Sequence, residues 1–500
     1  MPTPLSRFTV AVAVLAIAAP PSRAAAQQTP RGASPQVLTL DDAVRIAERE
    51  SQSVRIARAG SDRAAGQQLQ ARSQLFPQIA GSLSYQRSLQ VQFQEIAKRV
   101  GSGNNSSSSG GSGSDTSSNG GDNSFAALSR VFASPSTMIL GVTATQTVYA
   151  GGRLSAGIAA ADAGVRAADL GARAARAQLV YDVAEAYFDA QVADQLLAIA
   201  DSSLAQTERA LRQTQLARDV GNTAEYDLIR ARVQRDNTQP GVIGARTQRD
   251  IAFLRLRQLL KIPPDRPIAL ATRVDALAPA ATTQLRATAN VVAVPDTSAG
   301  ARISVRQAQE NVRAQANLLT SARGQRLPAV SLSTNYQRFA YPSSGIFEDR
   351  LRYYFPNWTV SLGVSMPLFT GGRQRGDEMV AEANLVEARE RYQQTLDGAV
   401  LDAQVARAQL DQAESRLAAT AGTDEQAAKA YSIAEVRFAE GIATQLELTQ
   451  ARVDLETSRA NRVQAARDVA LARLRVALLN DLPLGATLTT SSAPAGAGAR

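Results

Sequence analysis

Neither cysteine nor histidine occurs among the 500 residues. The chain therefore has no thiol nucleophile, no disulfide, none of the usual nitrogen and sulfur ligands of zinc or copper, and no imidazole general base. What remains is carboxylate and guanidinium chemistry, with 45 Asp and Glu set against 54 Lys and Arg. These charges are scattered along helix-favouring stretches and form no clustered carboxylate motif for acid–base work. The chemistry they can do is ion pairing and recognition, so no enzyme activity, cofactor or metal site is expected. Solvated helix faces account for the net charge of +9 better than a nucleic-acid groove does.

The elements that position these charges are marked by two unusual junctions. Leu368-Phe369-Thr370-Gly371-Gly372-Arg373 ends an alternating apolar/polar run and opens a long Ala-, Glu-, Arg- and Gln-rich segment. Val148-Tyr149-Ala150-Gly151-Gly152-Arg153 does the same earlier in the chain. Two strand-to-helix junctions of one kind predict a tandem repeat. Upstream of the Gly/Ser-rich stretch other matches share a second, longer offset: Ser53-Val54-Arg55 recurs as Ser304-Val305-Arg306, Pro77 as Pro328, and Tyr85-Gln86-Arg87 as Tyr336-Gln337-Arg338.

In chain order, residues 1–26 read as a secretory signal, with Arg7, an apolar stretch from Phe8 to Ala19, and Ala24-Ala25-Ala26 before Gln27. Leu38 to about Leu75 is helical in character and ends at Phe76-Pro77. Period two follows, with Ile79, Leu83 and Tyr85 on one face and Ala80, Ser82, Ser84 and Gln86 on the other. Residues 101–124 are almost wholly Gly, Ser, Asn and Asp and read as a flexible loop. A second strand puts Leu140, Val142 and Val148 on its apolar face and leads to the first junction.

From Arg153 to about Val220 the chain favours helix without a proline, a length of on the order of 100 Å. Such a rod implies a coiled-coil or tubular structure. Gly221-Asn222-Thr223 breaks it, and a further helix runs to about Leu260, interrupted by Pro240-Gly241. The first repeat is thus 27–262, a linker 263–300, the second repeat 301–482, and 483–500 a disordered tail.

No run of about 18 apolar residues follows the signal, so a membrane location requires a β-barrel. Four strands per chain cannot close a barrel around a channel, but three chains supply about twelve. The fold class expected is an α+β membrane protein: a trimeric 12-stranded β-barrel, four strands per chain, continuous with a long α-helical coiled-coil barrel. Phe76, Tyr149 and Phe369 at the helix ends of the strands, and Tyr353, Tyr354, Phe355 and Trp358 at the loop ends, suit two interfacial girdles. A buried sheet face of a soluble protein is the other reading of the same alternation.

Taken in order, these motifs resemble the TolC family of outer-membrane efflux and secretion channels. The resemblance covers about Leu38 to Leu482 and rests on Leu40-Asp41-Asp42-Ala43, Phe76-Pro77, Leu327-Pro328, the two Gly-Gly-Arg junctions, Val220-Gly221-Asn222-Thr223 and Glu440-Gly441-Ile442-Ala443-Thr444. It implies a homotrimer in outer-membrane lipid, reaching into the periplasm, docked to a membrane-fusion adaptor and an inner-membrane pump. Adaptor-docking tips then map to Arg218, Val220, Gly221 and Thr223, and to Arg437, Gly441, Thr444 and Leu448.

The family closes its periplasmic end near these tips, which makes Asp236, Glu447 and Gln450 gate candidates. Carboxylates brought together by threefold symmetry repel one another and attract cations, tuning gating and selectivity. Gln450 stands where a second acid is expected and Ala443 where an Arg can occur, so the closing network departs from the family pattern. Glycine that merely permits a left-handed turn is the plainer role of Gly221 and Gly441. A secreted or surface trimeric coiled-coil structural protein, without a conducting barrel, is the alternative; it predicts solubility without detergent. The cargo, whether drug, protein or metal, is not readable.

Overall fold

The computed structural model describes residues 36–89, 136–221, 223–263, 265–271, 298–340 and 355–485. The expected signal, the Gly/Ser loop 101–124, Tyr353, Tyr354 and residues 486–500 of the expected tail lie outside them.

The elements are β1 (Gln36–Leu38), α1 (Leu40–Glu50), α2 (Gln52–Ser73), β2 (Gln78–Arg87), β3 (Ser136–Ala150), α3 (Arg153–Asp219), α4 (Glu225–Leu260), β4 (Ile268–Leu270), a 3-10 turn (Ala299–Ala301), α5 (Ile303–Gly324), β5 (Ala329–Ala340), β6 (Phe355–Ser365), α6 (Arg373–Ala439) and α7 (Gln445–Ala477). The helical region expected from Leu38 to Leu75 is split at Ser51. Ser51 is extended, donates its N–H to the Ala47 carbonyl at 2.7 Å and accepts from Val54 N–H at 3.4 Å, ending one helix and capping the next. Thr39 caps α1 in the same way, and its hydrogen bond to Asp42 holds that carboxyl below its usual range.

β2, β3, β5 and β6 form one antiparallel sheet in that order, so β2 and β6 are free edges in the single chain. Its register sets Leu83, Leu140, Arg338 and Pro356 in one row, Val142, Tyr336 and Trp358 in the next, and Ala144, Thr334 and Val360 below. Directly opposed residues share a face, so the apolar sets of all four strands fall on one side. The other side is mainly Ser, Thr, Asn, Gln and Gly, as in Ser82–Gly141–Gln337–Asn357, with Ile139 opposite Phe339 toward the loop end. One register shift between Thr147 and Tyr149 brings Tyr149, in place of Val148, opposite Val330.

α3 and α6 each run 67 residues, or ~100 Å. Beside the sheet the helices pack in the order α2, α3, α5, α6; further away α4 packs on α3, and α7 on both α6 and α3. α4 continues through Pro240, so the expected interruption is no break in the helix. The main core lies at the waist, where Leu38, Val44, Val180, Tyr187, Phe188, Leu256 and Leu474 are buried together. Tyr187 donates its hydroxyl to the Leu38 carbonyl at 2.9 Å, anchoring β1, and β1 pairs in parallel with β4. The stretch read as a plain linker thus contributes a strand and the buried Ile268.

Both junctions use left-handed glycines: Gly151 and Gly371 at φ 61°, Gly152 at 78° and Gly372 at 89°. The sharp strand-to-helix bend needs this conformation, which other residues adopt only with strain. Arg153 adds a side-chain hydrogen bond to the Ala150 carbonyl at 3.3 Å; Arg373 closes its turn through its backbone N–H to the Thr370 carbonyl at 3.2 Å.

Candidate docking and gating site at the helical tips

The two helix–helix turns share a left-handed glycine with the same backbone hydrogen bond and differ in their caps. Gly221 is left-handed (φ 81°) and its N–H donates to the Arg218 carbonyl at 2.9 Å. Across the turn the Arg218 guanidinium reaches Glu225 at 2.9 Å and Asp219 at 3.3 Å. Hydrogen bonding to Asp219, then the charge of Glu225, pushes the arginine's pKa up further. α4 starts with no side-chain cap, but Glu225 and Asp227 in its first turn complement the helix dipole.

At the second turn Gly441 (φ 74°) donates to the Phe438 carbonyl at 3.1 Å, while Ile442 and Ala443 N–H groups both donate to the Arg437 carbonyl. Thr444 caps α7, accepting from Glu447 N–H at 3.3 Å and donating its hydroxyl to the Glu447 carboxylate at 3.5 Å. Thr444 therefore supplies the N-cap half of a capping box, while the Glu447 carboxylate meets the Thr444 hydroxyl and not its backbone N–H. The pattern Thr-x-x-Glu was in the sequence as a signal for this local role.

Glu447 and Gln450 share one exposed face of α7, where Gln450 donates to Asp454 at 2.9 Å. Asp236 is exposed and pairs with Arg235 at 3.0 Å. Its position eleven residues past Glu225 places it about 16 Å along α4. One chain therefore does not bring Asp236 and Glu447 together.

Leu448 needs correction as a contact residue. It is 7% exposed and packs with Tyr431 and Leu455, holding α7 to α6. The buried positions Gln445, Leu448, Arg452 and Leu455 are spaced three or four apart, so Leu446 falls off that stripe. Exposed apolar side chains at the tips are instead Val220 at 71%, Ile442 at 64% and Leu446 at 57%, with Leu216 and Tyr226 beside the first turn. Of these, sequence reasoning selected only Val220; Ile442 lies in the turn before α7 and Leu446 beside the buried stripe, a distinction that only the packing reveals.

Above the tips, polar groups tie the hairpins together. Ser203 on α3 donates to Glu456 on α7 at 2.8 Å, and Arg452 donates to both, reaching Glu456 at 3.2 Å. Arg209 on α3 pairs with Glu435 on α6 at 3.8 Å, and Glu435 accepts from the Tyr431 hydroxyl. Burial, aided by Glu435, pushes the Tyr431 pKa up.

Nearer the waist, burial pushes up the carboxyls of Asp182 and Glu185; Asp189 adds to the effect on Glu185, and Arg467 opposes it. An acid with a raised folded pKa destabilises progressively as pH rises from its unfolded value through its folded one. Asp182→Asn keeps an acceptor for Gln178, which donates to Asp182 at 2.6 Å. The variant is expected to melt higher than the parent at pH 7, with the gap closing below about pH 4. Thermal unfolding at both pH values checks this; an equal gap at both would exclude the carboxylate as the cause.

The outer membrane efflux protein family model matches residues 43–260 and 294–480, which takes in both junctions, both tips and the waist. The chain belongs to the outer membrane efflux protein family. That family consists of channels, not enzymes, and its location is the Gram-negative outer membrane. A relative is outer membrane protein OprJ of Pseudomonas aeruginosa, 28% identical over 154 residues. The alignment spans 30% of this chain and 31% of OprJ, less than a third of either protein.

Among solved structures, the outer membrane protein VceC of Vibrio cholerae superposes with a TM-score of 0.66 at 20% identity, over 89% of this chain and 96% of VceC. The open state of the Neisseria gonorrhoeae MtrE outer membrane channel gives 0.66 at 20% identity over 89% of each chain. At these identities the likeness is one of fold.

Proposed function

We propose that this efflux-family chain is one subunit of a homotrimeric exit duct, serving a tripartite efflux or type I secretion system and conducting substrates passively from an inner-membrane pump. The observation that carries the reading is the four-stranded sheet, with one continuous apolar face and two free edges, standing on ~100 Å helices. Free strand edges are not tolerated in lipid, and pairing β2 of one copy with β6 of the next removes them. Three copies make a closed 12-stranded barrel whose Ser/Thr/Asn face lines the passage.

The helix order α2, α3, α5, α6 repeats the strand order and leaves α2 and α6 as open flanks that meet in the same ring. Both halves of the chain run helix, strand, strand, 67-residue helix, shorter helix, which supports reading 27–262 and 301–482 as tandem repeats. The tips present Arg218, Val220, Thr223, Arg437, Ile442, Thr444 and Leu446 to a periplasmic membrane-fusion adaptor, while Gly221 and Gly441 set the turns. Glu447 and Gln450, repeated by symmetry, ring the periplasmic mouth; Asp236 forms a separate ring further along the tube.

Single cysteines at Thr223 and Thr444, in a chain that has none, provide the test of docking. Crosslinking in membranes is expected to capture one adaptor at both, and capture at neither would overturn the docking reading. Size is independent of that result: detergent-extracted protein is expected to sediment as a trimer. A stable monomer, or a protein soluble without detergent, would favour the helical stalk without a barrel.

A further inference from the structure

The described part of the sheet carries two charges, and both are arginines: Arg87 at the end of β2 and Arg338 near the end of β5. The register puts both on the apolar face and toward the loop ends of the strands. An arginine on a lipid-directed surface is costly unless its head finds an anion or water. No carboxylate lies on any of the four strands.

Arg338 sits over a particular local shape. In the next rows, Val142, Tyr336 and Trp358 stand around the smaller Ala144 and Thr334, and these five residues line a shallow apolar depression. Trp358, 72% exposed, donates its indole N–H to the Thr334 hydroxyl at 2.8 Å, which fixes the ring at one rim. Arg338 donates Nε–H to the Tyr336 hydroxyl at 2.9 Å, and its guanidinium carbon lies 5.9 Å from the Tyr336 ring centroid. That use of Nε leaves both terminal nitrogens to present a fork, the geometry that matches phosphate oxygens.

We propose that this arginine-headed depression binds an anionic phospholipid in preference to a zwitterionic one, with the phosphate on Arg338 and one acyl chain laid against Val142, Ala144 and Thr334 between Tyr336 and Trp358. The proposal rests on the reading of the apolar face as the lipid-facing side of a barrel. A second copy of the chain is a poor occupant, because the face offers two cations and no acid to complement them. Arg87 lies two strands away and, from the register, four residues further out, about 14 Å along the strand direction. It extends the cationic rim toward a second phosphate of the same or a neighbouring lipid.

Trp358 is the only tryptophan in the chain, so its fluorescence reports on this depression alone. The full-length protein is reconstituted in phosphatidylcholine vesicles doped with either acyl-brominated phosphatidic acid or acyl-brominated phosphatidylcholine. Quenching per mole of brominated lipid is expected to be about fivefold greater for phosphatidic acid, the enrichment that one surface arginine confers on an anionic lipid. Arg338→Gln should bring the ratio to about one, and Ala144→Leu, which fills the depression and keeps the arginine, should lower it as well. Excess inorganic phosphate should leave the parent ratio unchanged; abolition of the ratio would mean a free-phosphate site and overturn the lipid assignment. Strong but equal quenching by both lipids would place the face in lipid and overturn the site. Absence of quenching by either would overturn both the site and the barrel reading beneath it.

Discussion

Replacing Asp402 with alanine is expected to cost about 3–5 kcal/mol, because it strands two buried cations at once. Asp402 on α6 accepts from Arg302 at 2.7 Å and from Arg475 on α7 at 2.8 Å. Arg302 is 1% exposed, precedes α5 directly, and has one further acceptor, the Ala399 carbonyl at 3.4 Å. Arg475 retains Gln409 at 2.6 Å, so Arg302 bears the greater part of the loss. Asp402→Asn keeps one acceptor and should fall between the two. The midpoint of denaturant unfolding in detergent reads both variants, and a loss under about 1 kcal/mol for the alanine would mean that water reaches Arg302.

Gly151→Ala should be nearly as damaging, at about 3 kcal/mol or more, for two reasons that act together. The left-handed conformation costs an L-residue about 1–2 kcal/mol. A Cβ there would also lie 2.5 Å from the Gly324 carbonyl oxygen and 2.6 Å from Leu327 Cβ, so backbone has to move. Gly371 has the same φ, yet a Cβ on it meets nothing within 4 Å in the single chain. Gly371→Ala therefore should lose only the conformational share, about 1–2 kcal/mol. Any loss beyond that measures what the next copy packs against the second junction in the assembled ring. Equal, small losses for both variants would mean that the close approach of β3's exit to the end of α5 relaxes freely.

These two predictions mark where the sequence stopped being readable. Glycine pairs before Arg153 and Arg373 were visible as junctions because glycine is what a left-handed bend requires. Which of the two junctions is tightly packed depended on Gly324 and Leu327, far along the chain. Asp402, Arg302 and Arg475 looked like three more charges among many. Their meeting is set by how α5, α6 and α7 converge at the waist, and no periodicity encodes that.

At the tips the same division holds. Gly221 and Gly441 were legible as turns, and the Thr444-x-x-Glu447 spacing carried its capping role openly. Burial of Leu448 and exposure of Ile442 and Leu446 were not legible, since all three are apolar residues within one short stretch. Only the packing of Tyr431 and Leu455 against one face of α7 separates them.

By itself the sequence determined the properties that depend on short-range rules: period-two strands, two proline-free helices of nearly equal length, glycine at each sharp reversal, and the absence of thiol and imidazole chemistry. Tertiary structure decided what depends on distant partners. Strand register gathered four apolar half-faces onto one side of a sheet, and the waist turned a presumed linker into a paired strand. Local propensity acts over a few residues and so can be read from them, whereas burial and charge pairing arise between residues hundreds of positions apart and exist only once the chain is folded.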